Sequence, residues 1–260
     1  MGDIRKELKA IKDMDFMALN DKVKALNEFV ETYSLDQRSG ILPILESARK
    51  LIDNYTDEIK RVELMKHYDL SAGDEFKYIC GVDEVGRGPL AGPILAAAVI
   101  LPRDYVIPYV NDSKQVKAEL RERLYDEITA NAISWAVGMR NADFIDSEGI
   151  SLADSLSMRD SVLGLSVKPD LVLVDAFPIP DIDFMQRSII KGDATSYAIA
   201  AASIVAKVTR DRMMEEYGKE FPEYGFEQNA GYGTKKHTDA LQAIGPCRIH
   251  RRSFISKYIK

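Results

Sequence analysis

Four acidic residues stand out by where they fall in the 260-residue chain. Asp83 and Glu84 follow the run Tyr78-Ile79-Cys80-Gly81-Val82, Asp175 follows Leu171-Val172-Leu173-Val174, and Asp193 follows the segment around Ile189. Each run reads as a strand, so the acids are expected just beyond the ends of three separate strands. Acids so placed can converge where a sheet meets its loops, the usual location of sites in α/β proteins. Two carboxylates about 4 Å apart repel by roughly 4 kcal/mol at a surface-like effective dielectric. Such a cluster therefore stays partly protonated or gathers cations, and hard oxygen ligands suit Mg2+ or Mn2+. Two such ions roughly 3.5–4 Å apart are an apparatus for in-line phosphodiester hydrolysis. Taken singly, each acid also reads as a turn former or helix cap, and Asp193, ahead of Thr195-Ser196, suits a helix start.

The segment Asp83-Glu84-Val85-Gly86-Arg87-Gly88-Pro89-Leu90-Ala91-Gly92-Pro93 is more specific. Paired glycines around an arginine let backbone N–H groups approach a ligand closely. A tight hairpin turn with a solvated Arg87 would use the same glycines. A Walker phosphate loop is excluded, because no GK[ST] follows.

The elements that must hold these residues fall into two textures. Up to about residue 72 the apolar positions recur at helical spacing: Ile4, Leu8 and Ile11, then Leu26, Phe29 and Val30, then a long segment from Pro43 to Tyr68. This predicts an all-helical appendage over residues 1–72, ending at Ser71-Ala72-Gly73-Asp74, and a second domain over 73–260. In the latter, strands are expected at Tyr78–Asp83, Ile94–Leu101, Ile133–Met139, Leu171–Val174 and Arg187–Ile190. Helices are expected at Lys117–Asn131, Ile150–Leu165 and Ser196–Tyr217, the last opening on small residues that suit close packing on a sheet. The pattern implies an α/β fold with a mixed sheet flanked by helices.

Composition narrows the class. The formal charge of −6 argues against a nucleic-acid coat over the whole surface but allows a local basic groove. Two cysteines, Cys80 and Cys247, give neither a disulfide framework nor a zinc spacing, which suits a reducing cytoplasm. No apolar run reaches membrane-spanning length, so a cytoplasmic protein without membrane contact is expected.

Taken whole, the Asp83–Pro93 segment resembles the signature of ribonuclease HII, the type 2 ribonuclease H. The resemblance continues through Asn111-Asp112-Ser113-Lys114, Asp175, Lys191-Gly192-Asp193, the helix Ala200–Asp211, Gly231-Tyr232-Gly233-Thr234 and His250-Arg251. It implies a ribonuclease H-like mixed sheet and two divalent ions, Mn2+ or Mg2+, held by Asp83, Glu84, Asp175 and Asp193. It implies that backbone groups of Gly86-Arg87-Gly88 contact the ribose 2′-OH, the group that separates RNA from DNA. Tyr232 is similar to the family's tyrosine that stacks on the sugar of the next deoxynucleotide, and Lys114 would touch substrate. The implied substrates are RNA/DNA hybrids and duplex DNA containing ribonucleotides, cut by a monomeric endonuclease to leave 5′-phosphate and 3′-hydroxyl ends. The HIII type usually has a glycine–threonine pair where Arg87 stands, so the sequence sides with HII. The N-terminal appendage is a departure from the minimal family domain.

Other candidates carry less. Seven Lys/Arg against one acid between Lys235 and Lys260, with Lys114, Lys191 and Lys207, could line a basic groove or be solvated helix faces. Asp211, about five helical turns beyond Asp193, reads as an ion-pair or surface residue. His237 and His250 read as phosphate or structural contacts, and no Cys/His nucleophile arrangement is expected. Competing functions are another two-metal nuclease, such as a junction resolvase or a 3′ exonuclease, and a hybrid-binding module without catalysis.

Overall fold

Runs of β-branched and aliphatic residues, which suit a pleated buried surface, form five strands. These are β1 (Ile79–Val85), β2 (Ile94–Ile100), β3 (Ser134–Arg140), β4 (Leu171–Asp175) and β5 (Gln186–Ile189). In the computed structural model, which describes residues 1–259, they form one sheet in the order β3-β2-β1-β4-β5. β2 runs antiparallel to β1 and β3, whereas β1, β4 and β5 are parallel to one another. Their C-terminal ends therefore share one side of the sheet.

The helices are α1 (Gly2–Lys12), α2 (Leu19–Tyr33), α3 (Ile41–Leu70), α4 (Ala118–Asn131), α5 (Ala142–Glu148), α6 (Ile150–Leu163), α7 (Gly192–Thr195), α8 (Tyr197–Glu220), α9 (Phe226–Asn229), α10 (Lys235–Ile244) and α11 (Arg252–Ile255). Two of them cover the sheet. Cys80, Val82, Ala96, Ala98, Val172 and Val174 pack with Met158 and Val162 of α6. Ile79, Leu171, Leu173 and Ile189 pack on the other face with Ile199 of α8. Side chains alternate across a strand, so odd-numbered β1 residues face α8 and even-numbered ones face α6. The mixed sheet flanked by helices is the architecture expected from the sequence.

α8 lies against β1 because neither element has bulk at the contact. Ala198 to Ala202 are nearly all alanine, and a Cβ on Gly81 would stand 2.0 Å from the carbonyl carbon of Ala198. The start of α8 is also fixed by a distant residue. Asp69, 5% exposed, accepts from the Ala198 N–H at 2.8 Å across 129 residues of chain, while Ser196 Oγ accepts from Ile199 N–H at 3.2 Å. Two of the donors that every helix leaves unpaired at its N-terminus are satisfied in this way.

By its contacts the chain divides into two compact units, Met1–His67 with Val106–Tyr109, and Tyr68–Tyr105 with Val110–Lys260. The first has its own core of Ile4, Leu8, Leu26, Phe29, Ile41, Ile44, Leu45 and Ala48, at the helical spacing seen in the sequence. Asp69 belongs to the second unit, although it precedes the glycine of the expected linker. Among the described residues, no helix is long and apolar enough to cross a membrane.

Candidate active site

The acids meet at the C-terminal side of the three parallel strands, with a correction to their placement. Asp83 and Glu84 lie inside β1, Asp175 is the last residue of β4, and Asp193 sits in the short helix α7. β1 runs two residues further than expected because Asp83 and Glu84 pair with Ala97 and Ala96 of β2, and that ladder continues to Val85. Strand alternation then sends the two neighbours to opposite faces. Asp83, 6% exposed, is turned toward α8 and bonded to the Ser203 hydroxyl. Glu84 is turned toward α6 and feels Asp154. Asp175 Oδ1 accepts from the Gly192 N–H at 2.7 Å, which ties β4 to the turn carrying Asp193.

The electrostatics confirm one shared field. Burial, then Glu84 and Asp175, push the Asp83 carboxyl well above its ordinary value, and the Ser203 bond opposes them. Glu84 is pushed up to about 7 by burial, Asp154 and Asp175 against the pull of Arg87. Asp193 is raised by burial, Asp112 and Asp175. Lys114 is exposed; burial works against its charge, but Asp112, Asp83, Asp193 and Glu84 outweigh that and hold its ammonium above the ordinary value.

Six carboxylates thus face two cations, Lys114 and Arg87. A surplus of oxygen donors, with Asp83, Glu84, Asp154 and Asp193 all raised, fits divalent cations of the Mg2+ or Mn2+ type. Among the described residues, no three His, Cys, Asp or Glu side chains are drawn into a closed ligand set. The acids lie on opposite sheet faces and repel one another, while Asp83 and Asp175 are held by Ser203 and Gly192.

The glycine loop between β1 and β2 is held from beneath by two arginines with no exposed surface, Arg210 of α8 and Arg251. Arg210 donates to the carbonyls of Pro93 (2.9 Å), Ala91 (3.2 Å) and Ala230 (2.9 Å). Arg251 donates to those of Gly92 (3.0 Å), Arg87 (3.0 Å) and Gly86 (2.6 Å). Gly86 must be glycine: its φ is +97° and a Cβ would stand 2.5 Å from Arg210 Nε. A trans peptide points its N–H opposite to its carbonyl, and no peptide bond is cis. With the Gly86 and Arg87 carbonyls turned down onto Arg251, the N–H groups of Arg87 and Gly88 face outward. Tyr232, 46% exposed, lies beside this surface, its ring 3.7 Å from where a Gly88 Cβ would be.

Several residues escaped the sequence reading. Asp154 of α6 is buried and pairs with the Arg87 side chain, so Arg87 is not a free solvated arginine. With Glu84, Asp175, Phe177 and Ile179 they line a cleft of about 420 Å³. Three of the five non-glycine residues with positive φ adjoin the site: Ala176 follows Asp175, while Lys191 and Ala230 lie two residues ahead of Asp193 and Tyr232. Backbone strain of this kind clusters at functional sites.

Other expectations change. Arg251 is buried and cannot meet phosphate; Lys207, Lys235, Lys236 and Arg248 are paired with Asp211, Asp239, Glu227 and Glu220. The Lys207 and Arg121 pairs make Asp211 structural. His237 and His250 are buried, which rules out phosphate contact. Cys247 Sγ lies 3.1 Å from His250 Nδ1, where burial raises the thiol and leaves it a poor nucleophile.

Comparison with known proteins agrees with this arrangement. The family described as ribonuclease HII matches residues 80–257. A ribonuclease HII of Lachnoclostridium phytofermentans is 46% identical over 255 residues, covering 98% of this chain and 96% of its own. One from Clostridium beijerinckii is 43% identical, covering 99% and 95%. Both alignments take in the N-terminal helices, so these relatives share the appendage. The crystal structure of ribonuclease H2 from Pyrococcus horikoshii OT3 superposes with a TM-score of 0.57 at 26% identity, covering 68% of this chain and 93% of that one.

The raised carboxyls have a consequence for stability. The folded protein holds the Glu84 proton up to about 7, against an ordinary value of 4.5. The unfolded chain releases it earlier, so this contribution to stability is complete below 4.5 and lost as pH rises through 7. Without divalent metal, Glu84→Gln should therefore melt higher than the unaltered protein at pH 8, with the gap closing toward pH 4.5. Each kcal/mol is worth roughly 2–4 °C in a protein of this size. Thermal unfolding across that range checks it; a variant that melts lower at pH 8 would remove Glu84 from the strained cluster.

Proposed function

The chain belongs to the ribonuclease HII family, which makes it an endoribonuclease of RNA/DNA hybrids, and we propose that it also cuts 5′ of ribonucleotides embedded in duplex DNA. The observation that carries this reading is the meeting of the acid cluster with a loop whose outward amides and neighbouring tyrosine can read a single ribose. Asp83, Glu84, Asp175 and Asp193 would hold two divalent ions. Mg2+ or Mn2+ bound there would supply Lewis acidity to the attacking water and the departing 3′-oxygen. In-line displacement of that oxygen leaves 3′-hydroxyl and 5′-phosphate ends.

The remaining residues select the substrate. The Arg87 and Gly88 N–H groups can only donate, so they read the 2′-oxygen as an acceptor that DNA lacks. The Tyr232 ring stacks on the sugar of the following deoxynucleotide, and Lys114 contacts a phosphate near the acids. Arg87 is withheld from phosphate by Asp154 and contributes through its backbone.

Asp83→Asn and Asp175→Asn should each lower cleavage by more than the roughly 10–100-fold typical of an outer-shell partner, with the fold retained. Assays on a duplex with one ribonucleotide, over a range of Mg2+ and Mn2+, check this and map the cut. Near-normal rates at all metal concentrations would take both residues out of the centre.

Tyr232→Ala should impair cleavage at a lone ribonucleotide more than cleavage of a long hybrid, because only a junction supplies the deoxyribose. Equal losses on both substrates would give Tyr232 a different role.

The helical appendage, residues 1–72, tunes affinity for the duplex, with Lys6, Lys9 and Lys12 exposed on α1 as phosphate contacts. A chain beginning at Tyr68, which keeps the Asp69 cap, should cut at the same position but bind hybrid more weakly. Unchanged binding would leave the appendage a stabilising role only.

A further inference from the structure

The chain has three histidines, and two of them, His237 and His250, are almost fully buried and joined Nε2 to Nε2 at 2.9 Å. A bond between two imidazole nitrogens needs one N–H and one lone pair, and the surroundings decide which ring supplies each. His237 Nδ1 lies 2.9 Å from the carbonyl oxygen of Tyr232, which only accepts, so the proton of His237 sits on Nδ1. Its Nε2 is then bare, and the proton between the rings belongs to His250 Nε2. His250 Nδ1 is left as an acceptor, and the Cys247 N–H donates to it at 3.0 Å, with the Cys247 thiol beside it at 3.1 Å. The neighbours thus admit a single proton arrangement: Cys247 donates to His250, His250 to His237, and His237 to Tyr232.

We propose that His237 and His250 are positioning residues for Tyr232, an uncharged imidazole pair locked in opposite tautomers that fixes the Tyr232 carbonyl and so aims its ring over the glycine loop. The inference rests on the reading of Tyr232 as a substrate contact. The segment needs such a device. Its backbone is bent through Ala230 (φ +48°) and Gly231 (φ +84°), neither favoured by ordinary side chains, and Tyr232 itself is nearly half exposed. The Tyr232 carbonyl also accepts from the Thr234 N–H at 2.8 Å, while Leu90 N–H of the loop donates to Gly231 O at 2.8 Å. Arg210 holds the Ala230 carbonyl and Asn229 the Gly231 N–H, and His237 is the side chain that holds the Tyr232 carbonyl.

The surroundings hold the pair neutral. Tyr224 stands 4.8 Å from the His250 ring and Phe226 5.2 Å from the His237 ring, both edge-on. Burial lowers His237, and burial with His237 and Arg252 lowers His250 to about 4, against the Cys247 bond. Cys247, Arg252 and Tyr224 are the titratable or charged groups around the pair. A proton added to either ring would bring two N–H donors head to head.

Nitrogen-15 NMR of the full chain reads the tautomers directly, with the exposed His67 as internal reference. The expected result at pH 7 is an Nδ1–H imidazole at His237 and an Nε2–H imidazole at His250, neither becoming an imidazolium down to pH 5. Reversed tautomers, or an imidazolium at neutral pH, would overturn the proposal. Function supplies the second arm. His237→Leu should lower kcat/KM on a single-ribonucleotide duplex by roughly tenfold to a hundredfold, the scale of a misplaced substrate contact. His237→Asn, which keeps an N–H where Nδ1 was, should recover most of it. In a Tyr232→Ala background His237→Leu should add little further loss; losses that multiply, with no recovery by Asn, would make the pair merely structural. A Tyr232→Ala enzyme of full activity would instead refute the reading of Tyr232, a failure separable from that of the tautomers measured in the unaltered protein.

Discussion

Two guanidinium groups buried against carbonyl oxygens are the constraint on which the recognition surface depends. Arg210 and Arg251 have no exposed surface, and all six of their hydrogen bonds here go to main-chain carbonyls. Burying a charge without a counter-charge is costly, and burial lowers both groups, Arg251 to about 9. They remain because carbonyl dipoles replace the lost water, and charge-assisted bonds of this kind contribute roughly 1.5–3 kcal/mol each. The same bonds dictate the loop. Five of the six carbonyls belong to residues 86–93, and once these face inward the planar peptide leaves the Arg87 and Gly88 amides no direction but out. Replacement of either arginine would strand several carbonyls at once, a loss larger than that of one contact.

The opposite problem is solved on the acid side. Asp83 and Glu84 are adjacent in a strand, so alternation alone separates their side chains by the thickness of the sheet while leaving both at its C-terminal margin. Asp175, at the end of the neighbouring parallel strand, interacts with both. Such an arrangement is strained when metal-free, because burial and like charges both favour protonation. On the proposed reading, binding of divalent cations would remove the repulsion that folding has accumulated.

Much of this was legible in the sequence, and what was missed follows one rule. Hydrophobic runs located all five strands of the sheet, and the four acids that the motifs single out lie within one electrostatic field. The strand end at Asp83 was misjudged because two acids in succession look like a turn, whereas pairing with the alanines of β2 carries the strand through them. Arg251 reads as a groove-lining or solvated residue because arginine is rarely buried, and nothing local reveals carbonyls contributed from 164 residues away. Asp154 sits in a helix of mixed polarity and gains meaning only from Arg87. Asp69 likewise reads as part of the helical appendage until its bond to the Ala198 N–H is seen. Local pattern shows which residues can do chemistry; partners distant in sequence, which decide charge state and direction, emerge only on folding.

Together these partners sort the ionisable groups around the site by their freedom to titrate. The guanidiniums are held charged by carbonyls on every side, and the imidazoles are surrounded by aromatic edges and by each other. Arg87 is committed to Asp154, and Lys114 is held in its charged form by the acids it faces. The group left to respond near neutral pH is the Glu84 carboxyl, at about 7. On the proposed reading, a centre built in this way would couple protons and divalent cations at the same oxygens while the loop proposed to read the sugar keeps its charge and shape. Recognition of the ribose and loading of divalent ions would then be separable properties. The first would be set by buried groups whose charge does not change near neutral pH, and the second by carboxylates at the C-terminal margin of the sheet, where Glu84 does change.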